Sequence, residues 1–243
     1  RALARPGHAD YTAHCKYHGF EDYRGGGHFS GRLTAPLVFA GAVAKQALAQ
    51  YGIIVGSHIL QINDIKEERF NPMGVSDAEL AELHTKKFAV MDDAVGEKMQ
   101  ERILQAKSEL NSVGGVIEAI ALHLPAGIGA PYFDSVESIL SHALFSVPAV
   151  KGVEFGDGFG FARLTGAEAN DALHYVDGKV KALTNHNGGV TGGITNGMPF
   201  VVRVAIKPTP SIAREQQTVS LKEQADTTLA IVGRHDRCIV QRA

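Results

Sequence analysis

The spacing of apolar residues divides the chain into strand-like and helix-like stretches. Residues 53–62, Ile-Ile-Val-Gly-Ser-His-Ile-Leu-Gln-Ile, are rich in β-branched side chains and predict a strand, within which His58 reads as a satisfied structural histidine. Residues 116–124, 150–155, 200–206 and 228–232 predict further strands. Between them, apolar positions recur at helical spacing. Residues 34–50 predict a helix with Thr34 as N-cap, Pro36 in the first turn, and Ala40, Gly41, Val43, Ala44 and Leu48 as a stripe of small and apolar residues. Residues 92–110 predict an exposed amphipathic helix with Val95, Met99, Ile103 and Leu110 on one side, ended by Gly114-Gly115. Asp134 can cap another helix over residues 135–146. Ser76 with Glu79, and Thr165 with Glu168, have capping-box spacing. Residues 63–75 and 176–184 are polar and predict loops, the second of them mobile.

Strands separated both by hairpin-length turns and by helices predict an α+β fold. No glycine fingerprint follows a strand, which weakens a doubly wound alternative. At 243 residues the chain can bury a sizeable core as one large domain or two small ones. Its 44% hydrophobic and 21% charged content reads as soluble and globular. A formal net charge of -2 disfavours nucleic acid as a general partner. The longest apolar run is too short to span a membrane, which with the two distant cysteines, Cys15 and Cys238, predicts a cytoplasmic protein with reduced thiols.

Candidate chemistry concentrates in glycine-rich and basic loops. Tyr23-Arg24-Gly25-Gly26-Gly27-His28-Phe29-Ser30-Gly31-Arg32-Leu33-Thr34 runs into the first long helix. Free N–H groups at a helix start suit an anion, and Arg24, His28 and Arg32 add donors; the same stretch also reads as an ordinary loop before a core helix. His8, His14, Cys15 and His18 could be read as metal ligands, although solvated loop histidines fit His14 and His18 as well. Residues 185–197 are glycine-rich, as tight turns or as a backbone wall against a flat ligand. Lys207-Pro208-Thr209-Pro210-Ser211 puts a cation and two hydroxyls on a proline-stiffened loop, which suits a phosphate.

Several motifs together resemble the chorismate synthase family, essentially from Arg5 to Ala243. They are Arg5-Pro6-Gly7-His8-Ala9-Asp10-Tyr11-Thr12; Asp22-Tyr23-Arg24-Gly25-Gly26-Gly27; Val150-Lys151-Gly152-Val153-Glu154-Phe155-Gly156-Asp157-Gly158-Phe159; Asn185-His186-Asn187-Gly188-Gly189; Gly192-Gly193-Ile194-Thr195-Asn196-Gly197; Lys207-Pro208-Thr209-Pro210-Ser211; and Gly233-Arg234-His235-Asp236. The resemblance implies one core domain over residues 1–243, built as a layered β-α-β sandwich with helices between antiparallel sheets. It implies a lyase that eliminates phosphate from 5-enolpyruvylshikimate 3-phosphate to give chorismate with reduced FMN, working as a homotetramer with NADPH or a separate reductase as flavin reductant.

By motif position, the resemblance implies His8 and Asp236 as catalytic residues and Arg5, Arg32 and Arg234 as substrate-binding residues. It implies His28, Phe29, Ser30, Pro148, Ala149, Gly192, Gly193, Lys207, Pro208, Thr209, Pro210, Ser211 and Arg234 at the cofactor, and no metal. Arg24 is a weaker substrate candidate. The chain departs from the family pattern at His28-Phe29, where Arg-Ser is commonest, and at Arg237, where proline is usual. The family's N-terminal segment and C-terminal end are expected to lie outside this sequence. That leaves a second reading, an anion- or flavin-phosphate-binding core without turnover. A metal-dependent hydrolase built on the His8–His18 cluster is a third.

Overall fold

A computed structural model describes residues 3–22, 24, 26–233 and 236–242. Its frame is an antiparallel sheet of five strands: β1 (Ile54–Ile62), β2 (Ile65–Lys66), β3 (Gly115–Leu122), β4 (Val150–Phe155) and β9 (Phe200–Ile206), in the order β2-β1-β3-β9-β4. The helices are α1 (Asp10–Lys16), α2 (Thr34–Ala49), α3 (Asp77–Thr85), α4 (Asp93–Ser108), α5 (Val136–Ser146) and α6 (Gly166–Ala169). Among the described residues there are also three hairpins: β5 (Leu173–Val176) with β6 (Lys179–Ala182), β7 (Val190–Thr191) with β8 (Ile194–Thr195), and β10 (Glu215–Ser220) with β11 (Ala225–Ala230). This is an α+β fold, as the mixture of turns and helices between strands implied.

Alternation along the strands sorts the sheet into two faces. One carries Ile59, Ile117, Val202, Val204 and Ile206, against which Met99 and Ala106 of α4 and Leu140 and Leu144 of α5 pack. The other carries Ile120, Leu122 and Val201 under Phe70 and under Leu80 and Leu83 of α3. A Cβ on Gly56 would stand 2.6 Å from Leu80 Cδ2, so α3 seats directly on the β1 backbone.

That second face also holds a row of charges. His58, Glu118, Arg203 and Glu154 are directly opposite one another across β1, β3, β9 and β4. His58 Nε2 meets Glu118 Oε2 at 3.0 Å, while its Nδ1 meets Glu67. Arg203 binds Glu118 Oε1 at 3.0 Å and Glu154 Oε1 at 2.6 Å, and donates to the Gly156 carbonyl. The Phe70 N–H donates to Glu118 at 2.7 Å, and the N–H groups of Met91 and Asp92 donate to Glu67. His58, Glu67, Glu118 and Arg203 are all buried, and such charges persist only when paired and hydrogen-bonded. His58 is thus the satisfied structural histidine expected.

Several local expectations change. Thr34 lies inside α2 with its hydroxyl on the Gly31 carbonyl, and Leu33 occupies the N-cap. Ser135, not Asp134, caps α5 by accepting from the Ser138 N–H. Helix α4 is not merely a surface helix, because Gly96, Met99 and Ala106 are buried. It ends at Ser108, Leu110 just beyond takes φ +56°, and Gly115 already belongs to β3. The expected loop at 176–184 is largely hairpin, because Asp177-Gly178 takes the positive φ values of a two-residue turn. The final strand starts earlier, at Ala225, and pairs with β10, which the polar sequence concealed. Helix α2 is apolar yet has no buried residue, with Leu37, Val38 and Phe39 exposed.

Burial alone would lower the His58 pKa, but hydrogen bonds to Glu118 and Glu67 outweigh it and raise it. Burial alone would raise Glu118, but His58, the Phe70 N–H and Arg203 outweigh it and hold it down. The His58 contribution to stability is therefore complete below about pH 6.5 and lost as pH rises through the folded value; that of Glu118 is complete above about pH 4.3 and lost as pH falls through its own. From these two groups, melting temperature should plateau between those limits and decline on both sides. An imidazole NMR signal for His58 that titrates at or below the ordinary value would refute the assignment.

Candidate functional site

Proline stiffening and sheet geometry fix the basic loop first. Strand β9 ends at Ile206, and Lys207 then turns away with its N–H on the Ala149 carbonyl at 3.0 Å. Ala149 sits at φ +74° directly after Pro148, between α5 and β4. Thr209 is held from the other side, because Ser112 Oγ donates to its carbonyl at 2.6 Å. The hydroxyl of Thr209 is buried and has no hydrogen-bond partner.

The N-terminal loop docks on that loop. Lys207 Nζ donates to the Gly7 carbonyl at 2.8 Å, and His8 Nε2 lies 2.6 Å from Ser211 Oγ. Gly7 has φ +71°, and a Cβ there would stand 2.9 Å from Pro210 Cβ. Only glycine meets both demands. Just upstream, Ala4 N donates to the Val219 carbonyl at 3.3 Å, and Thr218 Oγ1 donates to the Ala4 carbonyl, which ties the segment to the edge of β10.

Arg5 and Asp10 brace the turn between them. Arg5 Nε and a terminal nitrogen reach the two Asp10 oxygens at 2.7 Å each, and the Arg5 N–H also reaches Oδ2 at 3.0 Å. Bidentate pairing of this kind fixes a guanidinium plane as well as its charge. A cleft opens beside it, lined by Arg5, His8, Asp10, Glu21, Asp22 and Phe29. Its carboxylates are engaged. His14 Nδ1 lies 3.1 Å from Glu21, and Arg24 pairs with Asp22, holding the Asp22 carboxyl down at about 2.

The structure therefore gathers His8, Arg5, Phe29, Pro148, Ala149 and the Lys207–Ser211 loop into one region. Pro208 is exposed within that loop, and Pro210 is the surface that Gly7 abuts. Ser30 caps the turn at Gly31–Leu33 by accepting from the Arg32 N–H at 3.3 Å. His28 and Arg32 are exposed beside it and are not among the cleft's walls.

Gly192 and Gly193 form the positive-φ turn between β7 and β8, and the Gly193 carbonyl accepts from Val136 N at 3.0 Å. That places them at the N-terminal end of α5, while Pro148-Ala149 follows its C-terminal end, a helix length of roughly 16 Å away. Asp236 is exposed, and its neighbour Arg237 is anchored by Val113 N donating to the Arg237 carbonyl at 2.9 Å. Arg234 lies outside the described residues.

His14 is bonded to Glu21, and His18 lies beyond the end of α1 at φ +53°. Among the described residues no three His, Cys, Asp or Glu side chains are grouped to hold a metal. Cys15 and Cys238 are free thiols. No helix among the described residues is long and apolar enough to cross a membrane. Sequence reading missed Asp10 as the partner of Arg5, although an acid at the first position of a short helix was a usable signal. It also missed Ser112, for which the sequence carried none.

The family model for chorismate synthase matches residues 1–243. The chain is 48% identical over 243 residues to the chorismate synthase of Thermococcus kodakarensis, covering 100% of this chain and 66% of that protein. It is 46% identical over 239 residues to the chorismate synthase of Korarchaeum cryptofilum, covering 98% of this chain and 65% of that one. A crystal structure of a chorismate synthase superposes with a TM-score of 0.73 at 32% identity, over 82% of this chain and 63% of that one. The chain thus spans just under two thirds of the length of these relatives.

Gly7→Ala should undock the N-terminal loop from Pro210. Strain from a non-glycine residue at positive φ costs about 1–3 kcal/mol. Melting temperature should fall, and amide exchange should accelerate at Ala4, whose N–H is bonded to Val219. Unchanged exchange at Ala4 would show that the Gly7–Pro210 contact does not hold the segment.

Proposed function

The chain belongs to the chorismate synthase family, and from that premise we propose that it forms the catalytic core of an enzyme releasing phosphate from 5-enolpyruvylshikimate 3-phosphate to give chorismate. The observation that carries this reading is the docking of His8 on Ser211 with Lys207 on Gly7, which joins an acid–base histidine to an anion-binding loop. The residues present fit a phosphate-tailed cofactor such as FMN. Thr209 Oγ1 is a buried hydroxyl without a partner, Ser211 offers a second, and the Lys207 ammonium has donors beyond the one on Gly7.

In this reading Lys207, Thr209 and Ser211 hold the FMN phosphate, Pro208 and Pro210 fix their spacing, and Pro148-Ala149 and Gly192-Gly193 flank the rest of the molecule. Ser30, with His28 and Phe29, approaches from the glycine loop. Reduced FMN, when bound, supplies the electron-rich ring that makes this redox-neutral elimination possible. Breaking the bond to phosphate and losing a proton elsewhere on the substrate leaves the new double bond. His8 holds a proton at Nε2, positioned by Ser211 Oγ, and Asp236 accepts the proton that leaves the substrate. Arg5, Arg32 and Arg234 pair with the substrate's carboxylates and phosphate, with Asp10 orienting Arg5.

Assembly as a homotetramer fits the exposed apolar length of α2, since contiguous apolar surface marks contact with other chains or segments. A cytoplasmic setting with NADPH or a separate reductase as electron source accompanies the same reading. The second reading is an anion-binding core without turnover, which rests on the Lys207–Ser211 loop alone.

In a chain of the family's full length, His8→Ala should lower kcat about 10²–10⁴-fold with little change in substrate affinity. Arg5→Ala should mainly raise KM, because its partner charge is present in ground and transition states alike. Wild-type turnover by the His8→Ala enzyme, followed as chorismate formation, would remove the catalytic role. FMN titration of the present chain separates the two readings from a fold that binds no flavin. There, Lys207→Ala should cost about 1.5–3 kcal/mol of FMN affinity if its ammonium makes a charge-assisted hydrogen bond.

A further inference from the structure

We propose that Arg237 is an additional cation of the Lys207–Ser211 cradle and binds the same phosphate group. The proposal rests on the FMN reading above and deepens it. It concerns a residue for which the family resemblance offers no role, since the resembling pattern has proline there.

Two buried donors lack partners in this region. One guanidinium nitrogen of Arg237 is buried with no hydrogen bond, and so is the hydroxyl of Thr209. Buried N–H and O–H groups nearly always find partners, so each of these donors calls for an acceptor, and one bound phosphate could serve both. The backbone brings the two residues to one place. Ser112 Oγ donates to the Thr209 carbonyl at 2.6 Å, and Val113 N donates to the Arg237 carbonyl at 2.9 Å. Consecutive Cα atoms are about 3.8 Å apart, so both segments are clamped on a single dipeptide.

Cys238 fixes the direction of the chain beyond. It packs against the main core with Ile239 and Val240, which anchors the segment immediately after Arg237. A planar guanidinium carried on this anchored segment matches a phosphomonoester, which presents two oxygens to its fork. Lysine at the same position would supply charge without the fork.

Titration of the purified chain with FMN and with riboflavin, which lacks the phosphate, tests the proposal. Arg237→Gln should weaken FMN binding about ten-fold, leave riboflavin binding unchanged, and make FMN affinity less sensitive to salt. Arg237→Lys should recover part of the loss. Wild-type FMN affinity in Arg237→Gln, alongside reduced affinity in Lys207→Ala, would overturn the role of Arg237 and leave the FMN reading intact. Equal losses for FMN and riboflavin would overturn it too, since Arg237 would then act on the fold. Unchanged FMN affinity in both variants, or no FMN binding by the unsubstituted chain, would overturn the proposal and the FMN reading together.

Discussion

The rest of the structure depends on a row of paired charges buried against the large sheet. An isolated ion inside a protein is costly, and each member of this row is tolerated only because its neighbour is in register. His58, Glu118, Arg203 and Glu154 come from four strands, so slipping any strand by one residue would turn its charge to the opposite face. The apolar residues around the row supply the burial energy. The row itself specifies which arrangement of β1, β3, β9 and β4 is allowed. Glu67 extends it into the loop before Phe70 and receives the N–H groups that lead into α4.

From that register follows the position of the candidate site. Strand β9 can end only where Ile206 pairs with both Gly115 and Val150, so Lys207 leaves the sheet between the starts of β3 and β4. Ser112 and Ala149, just before those strands, then grip the loop by hydrogen bonds to Thr209 and Lys207. The N-terminal loop is laid on this platform by Gly7 and His8. A rigid sheet thus carries a basic, hydroxyl-bearing loop at its edge, and a histidine is delivered to it from 203 positions away. Such placement of loop residues on a stiff scaffold suits catalysis, where small displacements of reacting groups are costly.

Helix α2 obeys a different constraint. Its apolar residues go almost all the way round, a pattern that normally belongs to a buried helix. In this chain Phe39 remains 75% exposed, and Lys45 meets His84 of α3. The packing demand written into the α2 sequence is therefore not met among the described residues.

Local chemistry was legible in the sequence wherever a signal acts over a few residues. The Ser76–Glu79 box caps α3, β-branched runs became β1 and β9, and proline-spaced donors marked the Lys207–Ser211 loop. The family motifs likewise identified the chain, because they depend on residue order alone. Strand β10 was missed, and the start of β11 with it, because Glu215–Ser220 and the first residues of β11 are mostly polar and carry little apolar signal. What only the tertiary structure decided are pairings across long separations: His58 with Glu118, His8 with Ser211, Thr209 and Arg237 on one dipeptide. A sequence states which groups need partners. Which partner each receives is set by strand register and loop docking, and those are fixed only when the whole sheet closes over its buried charges.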